Sequence, residues 1–197
     1  MWRSPLGLRS TADRRAEALR HTLSLPIFTI GHSTRALDDF LALLHAHAVT
    51  QLADVRTIPK SRRHPHFSKD ALSASLPAAG ITYRHFAELG GLRKPRADSA
   101  NTAWRHEGFR GYADYMETPA FTQALDDPVG WSQEAQTAVM CAEAVWWQCH
   151  RRLIADALLV RGTEVRHIMS PAAAAPHELT EFARVDGARL RYPGLLP

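Results

Sequence analysis

Cysteine is scarce in this 197-residue chain, with only Cys141 and Cys149 present. Two thiols are too few for a disulfide framework, which excludes the stapled secreted scaffolds. Lysine is scarcer than composition would suggest: three of the 24 basic residues are lysine and the rest arginine. That bias favours forked recognition of phosphate or carboxylate over diffuse attraction. Long apolar runs are missing too. Even Ala155–Val160, with Asp156 inside it, falls far short of the about 20 residues a membrane helix needs. No Gly-rich dinucleotide fingerprint and no Gly-Lys-Ser/Thr phosphate loop occurs, so those two nucleotide modes have no support. Residues 1–26 contain five arginines but no uninterrupted apolar stretch, so a secretory leader is not expected and the chain reads as cytoplasmic. They form an Arg-rich extension, either a short basic helix over Ala12–Leu23 or a loose tail.

What remains is ordinary globular material. Hydrophobic residues make up 45% and charged residues 22%, enough to build a core and to argue against disorder. The excess of basic over acidic residues is four, too small by itself to establish a nucleic-acid partner.

Strand and helix signals alternate from Ile27 onward. Ile27–Ile30 is apolar or β-branched and stopped by Gly31. Leu37, Phe40, Leu41 and Leu44 recur at helical spacing within 34–46. Val49–Val55 reads as a second strand, and Ser68 with Asp70 opens a short helix that Pro77 ends. Ile81–His85 is a third strand. Residues 86–108 show no period, a stretch longer than usual connections and therefore functional or mobile. One or two short helices fall in 112–125, a strand at 137–142, a helix at 148–161 closed by Gly162, and a strand at 164–169. A short helix from His177 and an edge strand around 188–192 complete the chain. The pattern predicts one α/β domain over 27–197, with a mostly parallel sheet of about five strands and helices on both faces. In such sheets ligands meet the carboxyl ends of the strands.

Read in that way, the strand ends offer Gly31, His32 and Ser33, then Asp54 and Arg56, then His85, then Cys141 and Glu143. Gly31-His32-Ser33 lies between a strand and a helix, where backbone amides favour an anion. Asp54 and Arg56 share one side of a strand and either pair structurally or orient the arginine toward a ligand. Ser61 and Arg62 sit in the densest basic stretch, with Gly90, Gly91 and Arg93 supplied by the irregular segment.

Cys149, His150 and Arg151 stand at a helix start, where the dipole lowers a thiol pKa and holds an anion. A phosphatase-type loop needs arginine six positions after the cysteine, but position 147 is Trp147. The seven residues between Cys141 and Cys149 are not a standard zinc spacing, so no metal ligand set is assigned. Trp146 and Trp147 either pack or offer a stacking surface beside the arginines.

In order along the chain, Thr29-Ile-Gly-His-Ser33, Asp54-Val-Arg56, Pro59-Lys-Ser-Arg62, Gly80-Ile-Thr-Tyr83 and Leu89-Gly-Gly91 form a recognisable series. With Cys141-Ala-Glu143 and Cys149-His-Arg151 they resemble the family called domain of unknown function 488. The resemblance spans residues 27–185 and implies a Rossmann-like fold, but brings no settled reaction. The tryptophan pair and the first 26 residues depart from the family pattern.

The leading expectation is an anion site for a phosphate-bearing small molecule, nucleotide or nucleic acid. Asp54, Glu143 and Cys149 are the catalytic candidates. The alternatives are a thiol- or metal-dependent enzyme on a small molecule, and a noncatalytic interaction module. No cofactor and no oligomeric state is assigned.

Overall fold

A computed structural model of the protein describes residues 25–60 and 62–194. The expected N-terminal extension falls almost wholly outside them, as does Ser61. Five parallel strands carry the fold: β1 (Ile27–Gly31), β2 (Gln51–Asp54), β3 (Thr82–His85), β4 (Thr137–Cys141) and β5 (Val165–Ile168). A two-residue strand, β6 (Ala175–Pro176), adds antiparallel to β5, giving the order β3-β2-β4-β1-β5-β6. The sheet is therefore mixed and six-stranded, in an α/β architecture consistent with the Rossmann-like expectation.

β1, β2 and β4 are buried at every position, and β1 and β4 accordingly run mostly apolar rather than alternating. On one face, α1 (Leu37–Ala46) and α2 (Lys69–Ser75) pack Phe40, Leu43, Leu44 and Leu72 against Phe28, Ile30, Leu52 and Met140. On the other, α3 (Glu107–Met116), α4 (Pro119–Trp131) and α5 (Arg151–Val160) enclose Tyr112, Phe121, Leu125, Leu153 and Leu158 over Ala53 and Val139. Ser68 caps α2 and Thr118 caps α4 ahead of Pro119, each satisfying an orphan amide. No helix among the described residues is long and apolar enough to cross a membrane.

The C-terminal expectations are half right. No helix starts at His177; the expected edge strand belongs instead to a separate hairpin, β7 (Arg184–Asp186) with β8 (Arg189–Arg191). The reason is the commitment of His177. Its amide donates to the Val165 carbonyl, and its ring joins a buried chain. Thr29 Oγ1 lies 2.7 Å from His167 Nδ1, His167 Nε2 3.0 Å from His177 Nδ1, and His177 Nε2 2.8 Å from Asp156 Oδ1. With both rings neutral, each link has one donor: the Thr29 hydroxyl, then His167 Nε2–H, then His177 Nε2–H. Trp146 stacks on His167 with ring centroids 4.0 Å apart.

Burial, reinforced by the neighbouring His177 and Arg151, lowers the His167 pKa to about 3. The unfolded chain, with histidine near 6.5, binds the proton more readily than the folded one. The stabilisation is then complete above pH 6.5 and is lost as pH falls toward 3. Urea midpoints should drop between pH 7 and pH 5, and drop less in a His167→Gln variant. An equal drop in both proteins would refute this account.

Candidate active site

The parallel register sets Gly31 beside Cys141, and Asp54 beside both Met140 and His85. Strand ends far apart in sequence thus meet on one edge. Asp54, fully buried, accepts from the Arg56 amide (3.1 Å), Arg56 Nε (2.8 Å), Arg56 Nη2 (2.6 Å) and the Tyr83 hydroxyl (2.7 Å). The remaining Arg56 nitrogen, Nη1, lies 3.2 Å from His32 Nε2. Burial lowers the His32 pKa to about 4, opposed by its bond to the Ser33 carbonyl. The neutral ring therefore donates through Nδ1 and accepts from Arg56 through Nε2.

A second cluster stands beside this network. Cys141 ends β4; Cys149 is extended and His150 enters α5 in helical conformation. The two sulfurs and His150 Nδ1 lie within 4.8 Å of one another. The Nδ1 distances are 3.9 Å to Cys141 Sγ and 3.6 Å to Cys149 Sγ. The imidazole is aimed from its far side, where Nε2–H donates to the Val55 carbonyl at 3.2 Å. Arg151, 1% exposed, donates through Nε to Cys149 Sγ (3.4 Å) and through Nη2 to the Glu143 carbonyl (2.5 Å). The interaction between the two neighbouring thiols pulls Cys149 well below the usual thiol pKa and pushes Cys141 well above it. Burial works against the first shift; His150 and Arg151 assist it.

Two glycines permit this packing. A Cβ at Gly31 would lie 1.8 Å from the Glu143 carbonyl oxygen, and one at Gly91 would lie 2.5 Å from His150 Nδ1. Both conflicts would displace groups that fix the sulfur cluster. Gly90 similarly allows the loop to lie against Thr57.

A cavity of about 300 Å³ opens onto the cluster. Cys141, Cys149, His150, Arg56, Gly91 and Glu143 line it, so six of the expected residues converge. Thr57, Ile58, Leu92, His106, Phe109 and Gln148 also line it and escaped the sequence reading. Ile58 is 62% and Leu92 75% exposed, an apolar mouth on an otherwise mixed site. Their only signal was position: Ile58 follows the Asp54–Arg56 motif and Leu92 the glycine pair.

Other expected residues lie elsewhere or serve the protein itself. The His32 and Ser33 amides donate to the Cys141 and Ala142 carbonyls. His85 Nε2 bonds the Arg56 carbonyl at 2.7 Å. Arg93 donates to the Gly90 and Glu88 carbonyls and covers the Tyr115 ring. Arg62 is exposed, outside the cavity lining. Arg152 donates to Thr180 rather than toward the cavity. Trp146 is occupied by His167 and His177, while Trp147 is 45% exposed.

Removing Arg56 leaves Asp54 as a buried carboxylate without its main partner. Arg56→Ala should cost about 3–5 kcal/mol, and Arg56→Lys should recover little of it because one ammonium cannot reproduce the fork. Tyr83→Phe should cost about 1–3 kcal/mol. Urea denaturation measures all three; a loss below about 1 kcal/mol for Arg56→Ala would contradict the assigned role.

Neither the search of curated proteins nor that of solved structures finds a match to this chain. The family model described as "Domain of unknown function DUF488" matches residues 36–158. That span holds β2–β4, the Asp54–Arg56 pair and the whole Cys141–Cys149–His150 cluster. The chain belongs to the DUF488 family.

Proposed function

We propose that this protein acts on a small molecule at a thiol-centred site, with the Cys141–Cys149–His150 cluster as its reactive centre. One observation carries the reading: two sulfurs and an imidazole nitrogen converge within 4.8 Å at the wall of the cavity. Both cysteines are free; Cys141 ends β4, and Cys149 and His150 link the 3₁₀ turn Trp146–Gln148 to the start of α5. Buried Arg151 holds Cys149 from behind. The exposed Ile58 and Leu92 at the mouth suit a ligand with an apolar portion, since one side of such a pocket orients and the other desolvates. Glu143, exposed on the lining, is the carboxylate placed to meet a bound molecule; Asp54 is consumed by Arg56 and Tyr83.

The phosphate reading has weaker support. Arg56, Arg93 and Arg151 already donate to protein acceptors, and so do the amides of His32 and Ser33. A phosphate would have to displace those bonds.

A thermal-shift screen of small molecules, with nucleotides and short DNA and RNA included, tests the choice. Compounds that stabilise the wild type should slow alkylation of Cys149. They should bind at least about tenfold more weakly to Phe109→Ala and Cys149→Ser. Salt-dependent nucleotide or nucleic-acid binding that ignores Cys149→Ser would instead favour the phosphate reading.

A further inference from the structure

We propose that Cys141 Sγ, Cys149 Sγ and His150 Nδ1 form a three-ligand site for Zn²⁺, its fourth position open to the cavity. This deepens the thiol-centred reading and rests on it, naming what the two sulfurs hold.

Spacing comes first. Tetrahedral zinc with bonds of about 2.3 Å to sulfur and about 2.0–2.1 Å to nitrogen separates sulfur from nitrogen by about 3.6 Å. The observed sulfur–nitrogen separations of 3.6 and 3.9 Å match that spacing, and the two sulfurs, within 4.8 Å of each other, close toward the about 3.8 Å that two zinc–sulfur bonds set. The sulfur–nitrogen separations are long for hydrogen bonds, yet suited to donors sharing a central ion.

The direction of the histidine comes second. A zinc-bound imidazole presents a lone pair on one nitrogen and donates from the other to a fixed acceptor. His150 Nε2–H donates to the Val55 carbonyl, which leaves the Nδ1 lone pair facing both sulfurs. Gly91 keeps the loop tight against the ring. Only a side chain without Cβ fits there.

Third, the surroundings suit zinc-bound thiolates. Arg151 Nε–H donates to Cys149 Sγ, the kind of outer bond that orients a sulfur ligand. Two sulfurs and an imidazole select zinc over the hard cations magnesium and calcium, which take oxygen. Asp54 and Asp156, the buried carboxylates near the sheet, are already satisfied by Arg56 and His177 and do not enter the set. Since Cys141, Cys149 and His150 all line the cavity, a small molecule with an oxygen or sulfur donor can complete the coordination. An ion with three protein ligands and one exchangeable position is the catalytic rather than the structural arrangement.

The test uses the full chain without a His-tag, reduced, stripped with chelator and then titrated with Zn²⁺ or Co²⁺ against a chromophoric competitor. One ion per chain should bind, Co²⁺ should show thiolate charge-transfer absorption, and Zn²⁺ should slow alkylation of both cysteines. Cys141→Ser and His150→Gln should each weaken binding by at least about 100-fold, with circular dichroism confirming that they fold. Reduced wild type that binds neither ion overturns the proposal, as does binding unaffected in a folded variant. So does a Cys141–Cys149 disulfide that forms with Zn²⁺ present. If no ion binds but cavity ligands still protect Cys149, the zinc site falls and the thiol-centred function stands. If zinc binds while cavity ligands ignore both cysteines, the functional reading falls instead.

Discussion

A carboxylate with no exposed surface stands at the end of β2, and the geometry around it follows from the need to satisfy it. Asp54 receives four donors, three from Arg56 and one from Tyr83. A buried charge left without such partners would cost several kcal/mol. Meeting that demand fixes the turn at 54–56, and the turn has further uses. The Val55 carbonyl holds His150, the Arg56 carbonyl holds His85, and Arg56 Nη1 reaches His32. One ion pair thus sets the positions of three histidines drawn from three other segments.

The surplus of arginine over lysine acquires a different meaning in this setting. Arg56, Arg151 and Arg93 each use several nitrogens on separate protein acceptors. A lysine offers a point charge and cannot span such pairs. The basic start of α5 has the same explanation. Arg151 folds back to the Glu143 carbonyl and Cys149, and Arg152 to Thr180 and the Trp104 ring, so neither needs an external anion to offset the helix dipole.

Much of this architecture was legible in the chain because periodicity and burial are local signals. The five parallel strands were placed to within a residue or two, since each is a short stretch holding apolar, β-branched or aromatic residues between turn and helix signals. The rule on strand ends put Asp54, Arg56 and Cys141 at one edge of the sheet, where the register sets Gly31 beside Cys141 and Asp54 beside Met140. The contacts were not legible. Nothing in Gly31-His32-Ser33 reveals that its amides are taken by the end of β4, because that depends on the β1–β4 register. The meeting of Cys141, Cys149 and His150 escaped any spacing rule because it depends on how the loop after β4 and the 3₁₀ turn Trp146–Gln148 bring the chain back toward the strand end. Ile58 and Leu92 were invisible for the converse reason. Their role comes from being left uncovered, which no local pattern marks. The failed helix at His177 shows a third case, a tertiary hydrogen-bond chain overriding local preference.

The seat of His150 has a consequence for how the protein is made. It needs the Val55 carbonyl just beyond β2 and Gly91 from the irregular segment, besides the start of α5 next to it. The first two are far from it in the chain. During synthesis the two cysteines are ordinary, separate thiols, each no more reactive than its free counterpart. Only closure of the β2–β4–β1 sheet brings them under the imidazole and Arg151. A chain that misfolds at any of these strands does not bring the two sulfurs and the imidazole together.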